Sequence, residues 1–208
     1  MSRCLICDKV IEDTFCGLVD CDCKVCNNCF DKFEIRNESF CIEGVQGVVL
    51  YYYNDFFKNV LYRYKGVGDY MLKDAFVFVN NRLNRMYKGY SIILAPSNKE
   101  IEEKRGYCHL EEIFKNLNLK IIKCFEKSEK WKQSDKKLSE RKDVQKVIKI
   151  DKRPLEGIKK VLIVDDVLTS GSTIKAMISQ LPSNIDKKVL VLSSNCQFLA
   201  NEIVSKSI

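Results

Sequence analysis

The chain reads as an α/β protein, a mostly parallel sheet flanked by helices, with a small cysteine-rich head at its N-terminus. Three observations predict this. Strand-like apolar runs alternate with amphipathic stretches of helical spacing, the pattern that builds a parallel sheet. The run Val161–Val164 is long enough for a buried central strand and ends in two adjacent carboxylates, Asp165 and Asp166. Seven of the 11 cysteines lie within the first 29 residues.

The head spans residues 1–42 and the α/β domain residues 43–208. Val45–Tyr53 is β-rich, and Asn54-Asp55 caps an amphipathic stretch from Phe56 to Lys65 that Gly66 and Gly68 break. Asp69–Met86 carries Met71, Leu72, Ala75, Phe76, Val79 and Leu83 at helical spacing and is predicted as one helix. Tyr90–Ala95 reads as a strand, Glu100–Leu117 as a helix, Leu119–Phe125 as a strand, Val161–Val164 as a strand and Val189–Leu192 as another. Between the last two, a helix opens at Ser172 and Thr173 and ends before Pro182.

Length and composition bound the function. With 208 residues there is room for one domain of about 150 residues plus an appendage. No apolar run approaches the roughly 18 residues that span a bilayer, so no membrane insertion is expected. The N-terminal residues Met1-Ser-Arg-Cys4 lack the apolar segment of a signal peptide, and a cytoplasmic location is expected. Formal net charge is +7. Between Lys120 and Lys152 lie 12 Lys/Arg against 6 Asp/Glu, an excess of +6 that supplies most of it. Such a segment favours polyanions, a pyrophosphate or a nucleic acid, although a solvated loop has the same composition.

Cys4-x2-Cys7 and Cys26-x2-Cys29 stand 18 residues apart, within the range of a four-cysteine zinc ribbon. Four thiolates suit a structural Zn²⁺ and close its coordination, leaving no catalytic position. Cys23-x2-Cys26 is an alternative second pair, and Cys16 or Cys21 could replace a ligand. Cys26/Cys29 is preferred because Asn27 and Asn28 tolerate the left-handed backbone of a metal knuckle better than Val25.

The segment from Val161 through Asp165-Asp166 to Thr169-Ser170-Gly171-Ser172-Thr173 carries the chemistry. Gly171 lets the backbone bend closely around a ligand, and the helix that follows offers free N–H groups, the positive end of its dipole and hydroxyl donors to a phosphate. Two carboxylates beside a phosphate cradle suit a sugar phosphate: they accept from vicinal ribose hydroxyls while the loop holds the 5′-phosphate. A nucleoside-triphosphatase loop, Gly-x-x-x-x-Gly-Lys-Ser/Thr, is absent from the sequence.

These thirteen positions resemble the phosphoribosyl-pyrophosphate (PRPP) signature of type I phosphoribosyltransferases. Together with the cysteine head they resemble the ComF family, phosphoribosyltransferase-like proteins associated with DNA uptake in natural competence. Further likenesses are Val25-Cys26-Asn27-Asn28-Cys29 followed by Asp31-Lys32-Phe33, Tyr62-Arg63-Tyr64-Lys65 with Gly68-Asp69, Lys104-Arg105-Gly106-Tyr107, and the basic loop Lys132-Gln133-Ser134 with Arg141. Two departures stand out: Ala95-Pro96-Ser97-Asn98 replaces a Pro-x-Pro loop, and Cys108-His109 replaces Asn-Gln.

The resemblance implies a type I phosphoribosyltransferase fold, a structural Zn²⁺, and PRPP bound with Mg²⁺. Asp165 and Asp166 are then the catalytic acidic pair on the ribose, and Thr169, Ser170, Gly171, Ser172 and Thr173 the 5′-phosphate loop. Pyrophosphate would lie on Ala95, Pro96 and Ser97, with Lys65 and Arg105 nearby and the flexible loop Lys132, Gln133, Lys136 and Arg141 closing over it. Activity would be glycosyl transfer to an acceptor that the sequence does not name. The alternative is a non-catalytic competence factor binding single-stranded DNA, with Trp131 available for stacking, alongside other DNA-uptake proteins. His109, the sole histidine, is expected at a surface or core position before a general-base role, and Cys41, Cys108, Cys124 and Cys196 as small buried hydrophobes.

Overall fold

The computed structural model describes residues 2–11, 24–77, 81–127 and 148–194. The expected fold class holds: the core is a mostly parallel six-stranded sheet in the order β1-β2-β8-β7-β3-β4. Its strands are β1 (Ile35–Ile42), β2 (Val45–Tyr52), β3 (Ser91–Leu94), β4 (Ile121–Ile122), β7 (Lys160–Leu168) and β8 (Asp186–Ser194). Only β1 runs antiparallel, as the hairpin partner of β2. β5 (Phe125–Lys127) and β6 (Ile148–Ile150) form a separate antiparallel ribbon. β1 falls within the first 42 residues, yet it is hydrogen-bonded into the main sheet.

The central strands are apolar because both faces are covered. Val161–Val164 on β7 and Val189–Leu192 on β8 are completely buried, so the alternation expected of a half-exposed strand is absent. The helices are α1 (Asn27–Asp31), α2 (Asp55–Tyr62), α3 (Asn81–Met86), α4 (Lys99–Arg105), α5 (His109–Phe114) and α6 (Ser172–Gln180). Asn54 caps α2 as expected, its Oδ1 accepting from Phe57 N at 2.8 Å. Its Nδ2 also donates to Lys32 O at 2.9 Å, tying α2 to the exit of the head.

Several boundaries differ from the sequence expectation. Asp69–Met86 is not one helix: a wide turn over Arg63–Val67 closes at Gly68, a 3-10 turn covers Tyr70–Ala75, and α3 starts only at Asn81. The tighter 3-10 repeat places Leu72 and Ala75 on one side, where both are buried. Glu100–Leu117 is likewise two helices. Gly106 adopts φ 82° and its N–H closes α4 onto Glu102 O at 2.8 Å, a left-handed C-cap that most side chains resist. Leu119–Phe125 is split between β4 and β5, which belong to different sheets. β7 runs four residues beyond Val164 and includes the acidic pair.

Candidate functional site

The head gathers Cys4, Cys7, Cys26 and Cys29 so that their four Sγ atoms lie within 4.8 Å of one another. Regular tetrahedral thiolate ligation of Zn²⁺ separates sulfurs by about 3.8 Å, and Cys7 Sγ stands 3.7 Å from Cys26 Sγ. The donor set and its spacing therefore fit a metal such as zinc. Cys26 N donates to Cys4 Sγ at 3.3 Å. Burial raises the Cys4 thiol, but backbone donors from Cys26, Cys7 and Ile6 outweigh it and bring it down to about 7. Burial followed by the neighbouring sulfurs pushes Cys29 well above the ordinary thiol range, as expected where four acidic groups crowd without a cation. Among the described residues Cys26 and Cys29 are the pair that stands beside Cys4 and Cys7, and the local reason expected for that pair does not hold, for Asn27 and Asn28 open helix α1 and are not left-handed. Cys16, Cys21 and Cys23 lie outside the described residues.

The acidic pair lies in a cleft of about 250 Å³ at the carboxyl ends of β3 and β7. Register explains the meeting. Leu94 pairs with Val164, the last rung between these strands. Ala95 N then bonds Val164 O at 3.0 Å. The Ala95–Asn98 turn therefore leaves the sheet where Asp165 and Asp166 continue along β8, with Asp165 opposite Val191. Lys65, from the wide turn after α2, and Arg105, from the end of α4, line the same cleft, as does Thr173 of α6. Gly171 precedes α6 with φ 70° and offers no side-chain cap, while Ser172 N makes a long bond to Ser170 Oγ at 3.4 Å, so the following amides of the first turn stay available to a ligand. Ser170 Oγ and Ser172 Oγ lie 2.7 Å apart at this turn.

Charges in the cleft are unequal. Asp166 Oδ2 accepts from Lys65 Nζ and faces His109 Nε2 at 2.9 Å. Burial raises Asp166, but His109 and Lys65 overcome it and hold this carboxyl below the usual range. Asp165 instead is pushed up to about 7 by burial and by the charge of Asp166, although Asp166 N donates to its Oδ1 at 2.9 Å. The negative charge of the pair is therefore held first on Asp166. Burial pulls His109 below its ordinary value, only partly opposed by Asp166.

Of the residues singled out from sequence, Lys65, Ala95, Pro96, Ser97, Arg105, Asp165, Asp166 and Thr173 share this cleft. Thr169 and Ser170 sit exposed on the loop before α6. Lys132, Gln133, Lys136, Arg141 and Trp131 lie outside the described residues. Ser97 Oγ donates to Glu102, an acidic neighbour that sequence reasoning missed. His109 is a core residue, 5% exposed, as one of its two expected positions had it, but it also touches the acidic pair. Its position after the Gly106 break was the available signal, since a new helix start beside Arg105 had to face the same end of the sheet. Cys124 is buried, Cys41 and Cys108 are half-buried, and Cys196 lies outside the described residues.

A second hollow of about 630 Å³ runs along α2 between Tyr53 and Tyr62 and shares Lys65 with the cleft. Tyr62 is 66% exposed. Its ring lies so close to Gly66 that a Cβ there would come within 2.8 Å of it.

No family model matches the chain. Over 200 residues it is 28% identical to the competence protein ComFC of Streptococcus pneumoniae, covering 83% of this chain and 90% of that protein. It is also 28% identical over 128 residues to ComFC of Bacillus subtilis, covering 60% of this chain and 53% of that protein. Among solved structures, a hypoxanthine phosphoribosyltransferase from Staphylococcus aureus overlaps 68% of this chain and 66% of its own, with a TM-score of 0.38 and 15% identity. A second crystal form of that enzyme gives a TM-score of 0.33 and 13% identity over 66% of this chain and 62% of its own. The chain is thus similar to ComFC over most of its length, and it has a mixed α/β core and a four-cysteine cluster that fits a zinc finger.

Proposed function

We propose that the cleft at the ends of β3 and β7 binds PRPP together with Mg²⁺, and that the chain is a competence factor of phosphoribosyltransferase type. The observation that carries this reading is the meeting of an acidic pair, a turn leaving the neighbouring strand and an uncapped helix start at one edge of a parallel sheet, where open α/β sheets bind ligands. The competence role is inferred from the curated relatives, both named competence proteins.

In this reading the ribose hydroxyls donate to Asp165 and Asp166, and the 5′-phosphate takes the Thr169–Thr173 loop and the first amides of α6. Pyrophosphate rests against Ala95–Ser97, neutralised by Lys65, Arg105 and Lys127, which all border the cleft. Mg²⁺, bound together with PRPP, would supply positive charge to offset that of the leaving group. If transfer follows, the C1–O bond breaks with its electron pair going to pyrophosphate, and a nucleophile attacks the oxocarbenium-like carbon from the opposite face. Positioning and charge complementarity supply the acceleration. The hollow beside Tyr62 opens onto the cleft at Lys65 and is the approach we assign to the acceptor. The head, residues 1–42, is assigned a structural zinc role and the remaining chain the ligand chemistry.

Calorimetric titration with PRPP and Mg²⁺ tests the site. Asp166→Asn should weaken binding about tenfold or more, since it removes a charge-assisted acceptor, and Asp165→Asn should weaken it less because it replaces a carboxyl that holds its proton more tightly. Unchanged affinity in both would remove the assignment.

A second reading rests on the +6 excess between Lys120 and Lys152: single-stranded DNA binds this basic segment, with or without transfer. Its log affinity should then fall with log salt at a slope near −0.7 per phosphate contact. Replacing Lys130, Lys132, Lys136 and Lys137 by Gln should flatten the slope. Among the described residues no helix is long and apolar enough to cross a membrane.

A further inference from the structure

We propose that His109 is the positioning residue of the acidic pair: by donating its Nε2–H to Asp166 Oδ2 it fixes which lone pairs of that carboxylate face the cleft, and so sets the geometry in which a ribose diol is accepted. This rests on the PRPP reading for the identity of the ligand. The contact itself does not.

The geometry leaves the imidazole little freedom. His109 is almost fully buried at the start of α5, with Nε2 2.9 Å from Asp166 Oδ2. Its own backbone is clamped, for Tyr64 Oη donates to His109 O at 3.0 Å and Tyr107 Oη donates to Tyr64 O at 2.6 Å. Arg105 Nε donates to Lys65 O at 2.9 Å, closing the ring of elements around the pair. A nitrogen facing an ionised carboxylate must carry the proton, so the neutral ring is the Nε2–H tautomer. The other nitrogen, Nδ1, is buried with no partner among the described residues. A second proton there would have no acceptor, and it would face the positive charges of Lys65 and Arg105 with only Asp166 in its favour. The ring is thereby held as a neutral one-way donor.

Lys65 reaches the same oxygen from the opposite element, but its side chain is about one-third exposed whereas the imidazole is enclosed. Lys65 can leave Asp166 for an arriving phosphate. His109 cannot, and it remains the fixed partner that keeps Asp166 oriented when the lysine goes.

Because the chain contains one histidine, its ring gives a single, self-assigned signal in a ¹⁵N-histidine-labelled sample. The free protein should show the Nε2–H tautomer, and Asp166→Asn should shift those resonances or mix the tautomers. Saturating Mg²⁺ and PRPP should shift them in the wild type. In calorimetry His109→Leu should weaken PRPP roughly tenfold or more, while His109→Gln, which retains an N–H donor, should stay within about threefold of wild type. A purely structural histidine would not discriminate Gln from Leu in ligand affinity at equal thermal stability. An Nδ1–H tautomer, ring signals indifferent to Asp166→Asn, or equal PRPP affinity in the Leu variant overturns the proposal. Should the Leu variant fail to fold, the tautomer and the Gln variant decide. If wild-type protein binds no PRPP while the ring still reports Asp166, the ligand assignment fails and the positioning contact stands.

Discussion

The cysteine cluster and the acidic cleft are opposite solutions to the same problem, the crowding of acidic groups. In the head, four like ligands converge, and burial together with the neighbouring sulfurs favours the protonated form of Cys29. In the cleft, two carboxylates are adjacent in sequence but are treated unequally: Lys65 and His109 donate to Asp166 and favour its ionised form, while burial and the charge of Asp166 push Asp165 up. The head thus gathers a donor set that fits a metal, whereas the cleft sets its acidic pair among partners that the chain itself supplies.

The largest way to break this contrast is to take the metal away. Chelation, or Cys29→Ser, should unfold the head, because zinc binding of this kind is worth roughly 10 kcal/mol or more. Metal analysis by mass spectrometry should give about one zinc per chain before and none after, and proteolysis should then cut near residues 24–33. If the sheet domain melts unchanged while the head opens, the two regions are energetically separate. The docking contacts argue otherwise: Arg63 Nη1 donates to Ile6 O at 2.9 Å and Lys24 pairs with Asp74 at 2.7 Å, so some loss of stability should pass to the sheet.

A smaller effect separates the two aspartates by pH. Asp165 titrates in the fold at about 7, above the ordinary carboxyl value near 3.9. Between these values the folded state holds a proton that the unfolded chain releases, so this group costs stability as pH rises from about 4 to about 7. Asp165→Asn removes that cost. Its melting temperature relative to wild type should therefore rise between pH 5 and pH 8, and a flat difference would mean that Asp165 ionises normally. Asp166 has the reverse sign, favouring the fold above the ordinary carboxyl value and losing that contribution as pH falls below it.

The smallest expected effect concerns the hollow along α2. Gly66→Ala should displace the Tyr62 ring, and Tyr62→Ala should remove it, with little change in stability because the ring is largely exposed. Neither should alter PRPP affinity in calorimetry. A marked loss in either would merge the hollow with the cleft and make Lys65 the carrier of the change.

Spacing alone made the head legible. Cys-x2-Cys pairs bring their own ligands together through local turns, so the cluster was legible as a metal candidate, although spacing left the second pair open between Cys23/Cys26 and Cys26/Cys29. The same holds for Asp165, Asp166 and the loop that follows, since strand, bend and helix start are contiguous. Gly106 and Gly68 were visible as residues, but their left-handed conformations, which split one predicted helix and ended another, follow from side chains that had to be buried on both sides of them.

What the sequence by itself determined were the parts in which neighbours in the chain are neighbours in space: the thiol pairs, the acidic pair with the loop that follows it, and the apolar runs of β7 and β8. What only the tertiary structure decided was who faces the acidic pair. Lys65 and His109 meet Asp166 across 101 and 57 residues of chain. No local pattern encodes such a contact, because it depends on the parallel pairing of β3 with β7 and on how α4, α5 and the turn after α2 pack over their ends. Burial and charge then made the two aspartates different, a distinction absent from two identical side chains side by side in sequence.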